Sequence, residues 1–170
     1  MQILMFYNAI ANNGRMMRPM LVTAIQQNGE VVKTYKPEVV KSSICSNRTL
    51  QDIRSALHDV VWDNRLGTAA VNPWGQKKAQ SDLVHIAGKT GTAQLLIGGR
   101  YQQKRHRITF VGYFPEENPR YSCICMIEDP RHGYDAGMDC GSTVRTIAEK
   151  TMAYTGCYVY QDGEKVLDKR

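Results

Sequence analysis

Apolar residues recur at three- and four-residue steps at the start of the chain, at Ile3, Phe6, Tyr7 and Ile10. That spacing predicts a helix over about the first dozen residues with these side chains on one face. Asn12-Asn13-Gly14 stops it, with Gly14 free to take a left-handed conformation. After Pro19 an apolar run extends from Met20 to Ile25; Asn28-Gly29 is a turn signal, and Glu30 to Tyr35 reads as the returning strand of a hairpin at an edge of the molecule. A second helix is predicted from about Asn47 to Trp62. Ser46 is its N-cap and Leu50, Ile53, Leu57, Val60 and Val61 are its buried stripe; Asn64 and Gly67 end it. Residues 71–82 are polar and irregular and read as a loop.

Three strand candidates follow, His85 to Leu96, Ile108 to Phe114 and Tyr121 to Glu128. In the third, Cys123, Cys125 and Ile127 face one way and Ile124 and Met126 the other, as expected of a strand covered on both sides. The link from Pro115 to Arg120 is too short for a parallel crossover, so the strands it joins are expected to be antiparallel. A last helix spans roughly Met138 to Ala153, with Val144, Ile147, Ala148, Thr151 and Met152 on one face. The tail from Gly156 to Arg170 reads as a weak hairpin, Tyr158-Val159-Tyr160 against Lys165-Val166-Leu167. Strands and helices are segregated along the chain, which predicts an α+β fold: an antiparallel sheet packed by helices.

Composition adds limits. The chain has 170 residues, 42% hydrophobic and 22% charged, enough for one domain or a large piece of one. No apolar run reaches the ~18 residues of a spanning helix, and the start has no basic stretch before its apolar residues, so no signal peptide is read there. The formal net charge is +6, and Arg100, Lys104, Arg105 and Arg107 cluster around His106. A solvated loop between two strands accounts for that cluster better than a nucleic-acid patch, because Tyr101 is the only aromatic near it. Of the five cysteines, Cys123 and Cys125 share a strand face. Zinc would need two further ligands, and His132 is the only nearby candidate, so they read as small apolar residues of the sheet and no metal or cofactor is expected.

The segment with most chemical content is Ala87-Gly88-Lys89-Thr90-Gly91-Thr92-Ala93-Gln94. It lies on a predicted strand. Lys89 supplies a fixed positive charge, Thr90 and Thr92 supply hydroxyls, and Gly91 leaves room for another molecule's backbone to approach. One strand edge thus offers a cation, alcohols and N–H groups to a ligand that carries a carboxylate.

That segment resembles the Lys-Thr-Gly motif of penicillin-binding proteins and serine β-lactamases. Its surroundings narrow the resemblance to class B penicillin-binding proteins. Gln2 to Gly14 is similar to the helix before the family's substrate-gate region. Arg18-Pro19 with the following hairpin, Leu57 to Val61, and Gly67-Thr68-Ala69 fit the same family. Phe110 to Pro115 and Tyr121 to Glu128 match its fourth and fifth strands, and Ile147-Ala148-Glu149 falls in its last helix. Phe110 to Pro115 followed by Arg120-Tyr121 is most similar to the division-type, septal transpeptidases. The resemblance covers residues 1–153, leaving 154–170 as a tail.

The resemblance implies a partial penicillin-binding-protein/β-lactamase-like fold and a part in peptidoglycan cross-linking. In the intact family domain a serine attacks the penultimate D-alanine carbonyl of a stem peptide, and an amine of a neighbouring stem resolves the acyl-enzyme. By position, Lys89 would act electrostatically, Lys89, Thr90, Gly91 and Thr92 would bind substrate, and the Thr92 N–H would be one of two oxyanion donors. The implied partners are peptidoglycan stem peptides, β-lactams as inhibitors, and division-complex membrane proteins at the periplasmic face of the cytoplasmic membrane, with no nucleic acid. The sequence also departs from the family. No serine here is followed three residues later by lysine, no serine or tyrosine has asparagine two positions on, and Gly141-Ser142 stands where the last helix usually has Ala-Pro. The chain is therefore expected to be a fragment that does not acylate alone. The rival functional readings are a non-catalytic peptidoglycan-peptide or division-partner binding module and a β-lactamase.

Overall fold

The structure, a computed structural model, describes residues 1–131 and 133–155 in full and the backbone of 159–161 and 164–166. Helix α1 (Gln2–Ala11) leads through the short strand β1 (Met16–Met17) to the hairpin β2 (Ala24–Gln27) and β3 (Glu30–Thr34). Strand β4 (Val39–Lys41) returns to pair with β1, and α2 (Asn47–Trp62) follows. Then come β5 (Ala87–Ile97), β6 (Arg100–Phe114) and β7 (Tyr121–Glu128), a π-helical turn (Gly137–Gly141) and α3 (Ser142–Thr155). β8 (Val159–Gln161) pairs with β9 (Glu164–Val166), two strands of the tail hairpin expected from sequence; the rest of that hairpin, with Cys157, lies outside the described residues, as does His132.

The central sheet has the order β5-β6-β7 and is antiparallel throughout. It forms the middle of three layers. On one face, Ala87 and Tyr113 meet Ile10 of α1 and Leu50 and Leu57 of α2. On the other, Ile108, Phe110 and Phe114 meet Val144, Ala148 and Met152 of α3 and Cys140 of the π-turn, with Cys123, Cys125 and Ile127 against the same cluster. The alternation of β7 thus follows the sequence expectation, although Met126 is exposed where α1 no longer covers its face. Antiparallel strands and packed helices place the chain in the expected α+β class.

Helix α2 forms where its pattern predicts. The Ser46 side chain accepts a hydrogen bond from the Thr49 N–H at 3.1 Å, and Leu50, Leu57 and Val61 are buried. Elsewhere tertiary packing overrides the periodicity. In α1, Ile3 and Phe6 are exposed and the buried pair is Ala9 and Ile10, because α1 meets the sheet and α2 mainly through its C-terminal turns. In α3 Ile147 is exposed, and the helix starts at Ser142, after the π-turn, rather than at Met138. Of the run Met20 to Ile25 only Ala24 and Ile25 are in a strand, and Met20, Leu21 and Val22 lie exposed ahead of it.

One sequence expectation is corrected outright: Arg100 to Arg107 is not a loop but the first half of β6. Gly98 and Gly99 have φ of 57° and 77°, the pair of positive values that a two-residue hairpin turn requires, so β5 and β6 continue to the turn without an intervening loop. The extra residues are absorbed as a bulge, where the register passes from Gln94↔His106 to Leu95↔Gln102. Arg105 and Arg107 are ion-paired to Asp129 and Glu128, which neutralises part of the basic cluster.

Candidate functional site

Strand β5 has one neighbour, β6, among the described residues. Its other edge is open, so part of its backbone N–H and C=O groups face outward. Lys89, Thr90, Gly91 and Thr92 all lie on this strand, as expected from sequence. Alternation places Thr90 and Thr92 on the α3 side of the sheet and Lys89 and Gly91 on the α2 side.

The two glycines of the motif have different reasons. A β-carbon at Gly88 would stand 2.6 Å from Phe110 Cζ and 2.6 Å from the Val111 carbonyl oxygen, so β5 and β6 can pack over the core only with glycine there. A β-carbon at Gly91 would meet only Thr109 Cβ, at 3.8 Å. The fold does not require glycine at 91, which fits a position kept open for an outside molecule.

The Lys89 side chain is exposed but folds onto its own strand. Its ammonium turns back along the strand and donates to the Thr90 carbonyl oxygen at 2.9 Å and to Thr90 Oγ1 at 3.3 Å. The cation and the hydroxyl therefore act at one place although their side chains leave opposite faces of the strand. Thr90 Oγ1 in turn shares a hydrogen bond of 2.7 Å with Thr68 Oγ1.

Thr68, Thr90 and Thr92 form one side of a cleft of about 470 Å³. Tyr134, Asp135 and Gly137, with Lys78, form the other. The far wall is built at the start of the π-turn. Asp135 Oδ1 accepts from the N–H groups of Gly137 (2.9 Å) and Met138 (3.0 Å), and Asp135 Oδ2 accepts from Lys78 Nζ at 2.8 Å. Burial works to raise the Asp135 carboxyl, but Lys78 and the two N–H groups hold it below its ordinary value. Tyr134 stacks on the buried His106 of β6, ring centroids 3.8 Å apart, which ties the wall to the sheet.

A second anchor fixes the start of β5 against α2. Trp62 Nε1 donates to the Ile86 carbonyl oxygen at 3.1 Å, and the indole lies against the imidazoles of His58 and His85. His58 Nδ1 is 2.9 Å from a Glu116 oxygen, and Glu116 N donates to the His85 carbonyl oxygen. Burial pushes the Glu116 carboxyl up, against the opposing pull of His58.

Reading the sequence missed Thr68 and Lys78 as site residues. Thr68 is 22 positions from Thr90 along the chain. Its only signal was the Gly67-Thr68-Ala69 triplet. Among the described residues, no group of three or more His, Cys, Asp or Glu side chains is placed to hold a metal ion, and no helix is long and apolar enough to cross a membrane.

Comparison with known proteins adds an independent line. A family model described as the penicillin binding protein transpeptidase domain matches residues 1–153. Penicillin-binding protein PbpB of Mycolicibacterium smegmatis is 30% identical over 138 residues, 79% of this chain and 20% of that protein. The probable peptidoglycan D,D-transpeptidase PbpC of Pseudomonas aeruginosa is 31% identical over 133 residues, 78% of this chain and 20% of that protein. The crystal structure of penicillin binding protein 3 from Mycobacterium tuberculosis, complexed with aztreonam, superposes with a TM-score of 0.72 at 28% identity, covering 91% of this chain and 34% of that one. The chain spans about a fifth of the length of the curated relatives it matches.

Proposed function

Since the chain belongs to the penicillin-binding protein transpeptidase family, we propose that it forms the carboxylate-binding flank of a peptidoglycan D,D-transpeptidase site. The observation that carries this reading is the open edge of β5, where the Lys89 ammonium and the Thr90 hydroxyl stand 3.3 Å apart beside the cleft that Thr92 also lines. The substrate is a stem peptide ending in a free carboxylate. The Lys89 charge draws that carboxylate to the edge, and the hydroxyls of Thr90 and Thr92 donate to it. Charge-assisted hydrogen bonds of this kind are about twice as strong as neutral ones.

The acyl carbonyl then lies along the strand, and the Thr92 N–H serves as one of two donors to the oxyanion. Removing one such donor costs roughly 2.7–4 kcal/mol of barrier. The attacking group is a serine with lysine three residues on, which these 170 residues do not contain. This chain therefore binds but does not acylate, and the reaction needs a serine from outside it. A β-lactam, which carries a carboxylate beside its reactive carbonyl, takes the same place. A division-type role, with membrane partners at the periplasmic face of the cytoplasmic membrane, is part of this reading; it rests on Phe110 to Pro115 and Arg120-Tyr121.

Incubation with a fluorescent penicillin, followed by a denaturing gel and intact mass, tests the assignment of labour. No covalent adduct is expected on this chain. A stoichiometric adduct would place a nucleophile within it and overturn the reading.

A further inference from the structure

We infer that Thr68 is a positioning residue for the carboxylate site: it fixes the direction in which the Thr90 hydroxyl donates. This rests on the reading of the β5 edge given above and goes beyond it by assigning a residue outside the Lys-Thr-Gly strand.

Protons and lone pairs set the direction of the Thr90 hydroxyl. A threonine hydroxyl has one proton to donate and two lone pairs to accept with. Thr90 Oγ1 has two neighbours, Lys89 Nζ at 3.3 Å and Thr68 Oγ1 at 2.7 Å. An ammonium can only donate, so Lys89 occupies one lone pair of Thr90. Thr68 can either accept the Thr90 proton or donate its own. When it donates, both lone pairs of Thr90 are filled, and the single Thr90 proton has nowhere to point except away from Lys89 and Thr68. An arriving carboxylate, which only accepts, selects that state. The exchange is a rotation of two hydroxyls with no net loss of hydrogen bonds. Without a hydroxyl at 68, the second lone pair of Thr90 goes unfilled or takes a water, and the direction of its proton is no longer set.

The backbone at Thr68 is held firmly enough for this role. A β-carbon at Gly67 would lie 2.5 Å from the Asp63 carbonyl oxygen, 2.6 Å from that of Asp59 and 2.8 Å from that of Val60, so glycine alone lets the chain turn beneath the end of α2. The N–H groups of Gly67 and Ala69 donate to Asp63 and Val60, at 2.7 and 2.9 Å. From the other side, Gly137 packs so closely that a β-carbon on it would be 2.5 Å from the Thr68 carbonyl oxygen, and Lys78 Nζ donates to that same oxygen at 3.3 Å. The last turn of α2 and the first turn of the π-helix thus grip Thr68 between them and present its hydroxyl to β5.

The test compares two probes, an N-acyl-D-alanyl-D-alanine with a free carboxylate and the same dipeptide as its C-terminal amide. Each is titrated into the wild-type chain and into the Thr68→Val and Thr68→Ser variants. Valine keeps the shape and removes the hydroxyl; serine keeps the hydroxyl. Thr68→Val is expected to lower carboxylate affinity by roughly three- to tenfold, the worth of one hydrogen bond, and to leave amide affinity unchanged. Thr68→Ser is expected to restore the carboxylate affinity. A general packing defect would instead weaken both probes and would not be rescued by serine, which overturns the inference. Equal carboxylate affinity in wild type and Thr68→Val overturns it as well. A wild-type chain that fails to prefer carboxylate over amide would remove the reading of the β5 edge itself, a different failure from the loss of the Thr68 role.

Discussion

Gly88 and Phe110 are packed so closely across β5 and β6 that a single added methyl on Gly88 would stand 2.6 Å from the Phe110 ring, well inside contact distance. Gly91, three residues along the same strand, has open space beside it. The same residue type in one motif therefore serves the core at one position and lies on the open strand edge, with room beside it, at the other.

Gly88→Ala is accordingly expected to destabilise the chain by about 1–3 kcal/mol through overpacking against Phe110 and the β6 backbone. Gly91→Ala is expected to change stability by less than about 0.5 kcal/mol, while weakening binding of a D-alanyl-D-alanine carboxylate. Urea unfolding of both variants, with ligand titration of the second, checks the pair.

Tyr113 is buried between α1, α2 and the sheet, and its hydroxyl has no hydrogen-bond partner among the described residues; burial pushes its pKa up to about 12. An unpaired buried hydroxyl costs about 1–3 kcal/mol. Tyr113→Phe is therefore expected to be neutral to stabilising, by about 1 kcal/mol, measured by thermal or urea unfolding. A clear loss of stability would mean that the hydroxyl is satisfied in solution.

Asp135 caps the π-turn and pairs with Lys78. Its carboxyl lies below its ordinary value of 3.8 in the folded chain and returns to it on unfolding. The stability it contributes is therefore complete above about pH 3.8 and is lost as pH falls through the lower folded value. Asp135→Ala is expected to cost at least about 1 kcal/mol near neutrality, from the lost cap and from the Lys78 ammonium, whose side chain is only 12% exposed and would be left unpaired. Below pH 3.8 the gap between wild type and variant should close. A gap that stays constant between pH 7 and pH 3 would assign the cost to packing instead.

The features legible in the sequence are those set by local chemistry. Ser46 before an amphipathic stripe defines α2, and the alternation from Cys123 to Ile127 defines β7. The open edge carrying Lys89 and Thr92 followed from the motif and its resemblance. The features that were not legible depend on contacts distant in sequence. β1 and β4 have two and three residues, too few for a period to show. The cations from Arg100 to Arg107 masked a long strand, although Gly98-Gly99 signalled its hairpin. Ile3 and Phe6 carry a helical period whose face α1 does not bury, because neither the sheet nor α2 covers them. Thr68 belongs to the site only because Gly67 folds under α2 and Gly137 closes over it.

The place where a peptide carboxylate binds tests the role of the β5 edge most directly. Chemical-shift mapping of the backbone-labelled chain with N-acyl-D-alanyl-D-alanine measures this. Shifts are predicted at Lys89 to Thr92 on β5, at Thr68, and at Ala136 and Gly137 across the cleft, with much smaller shifts for the C-terminal amide. Shifts centred elsewhere, or equal responses to carboxylate and amide, would contradict it.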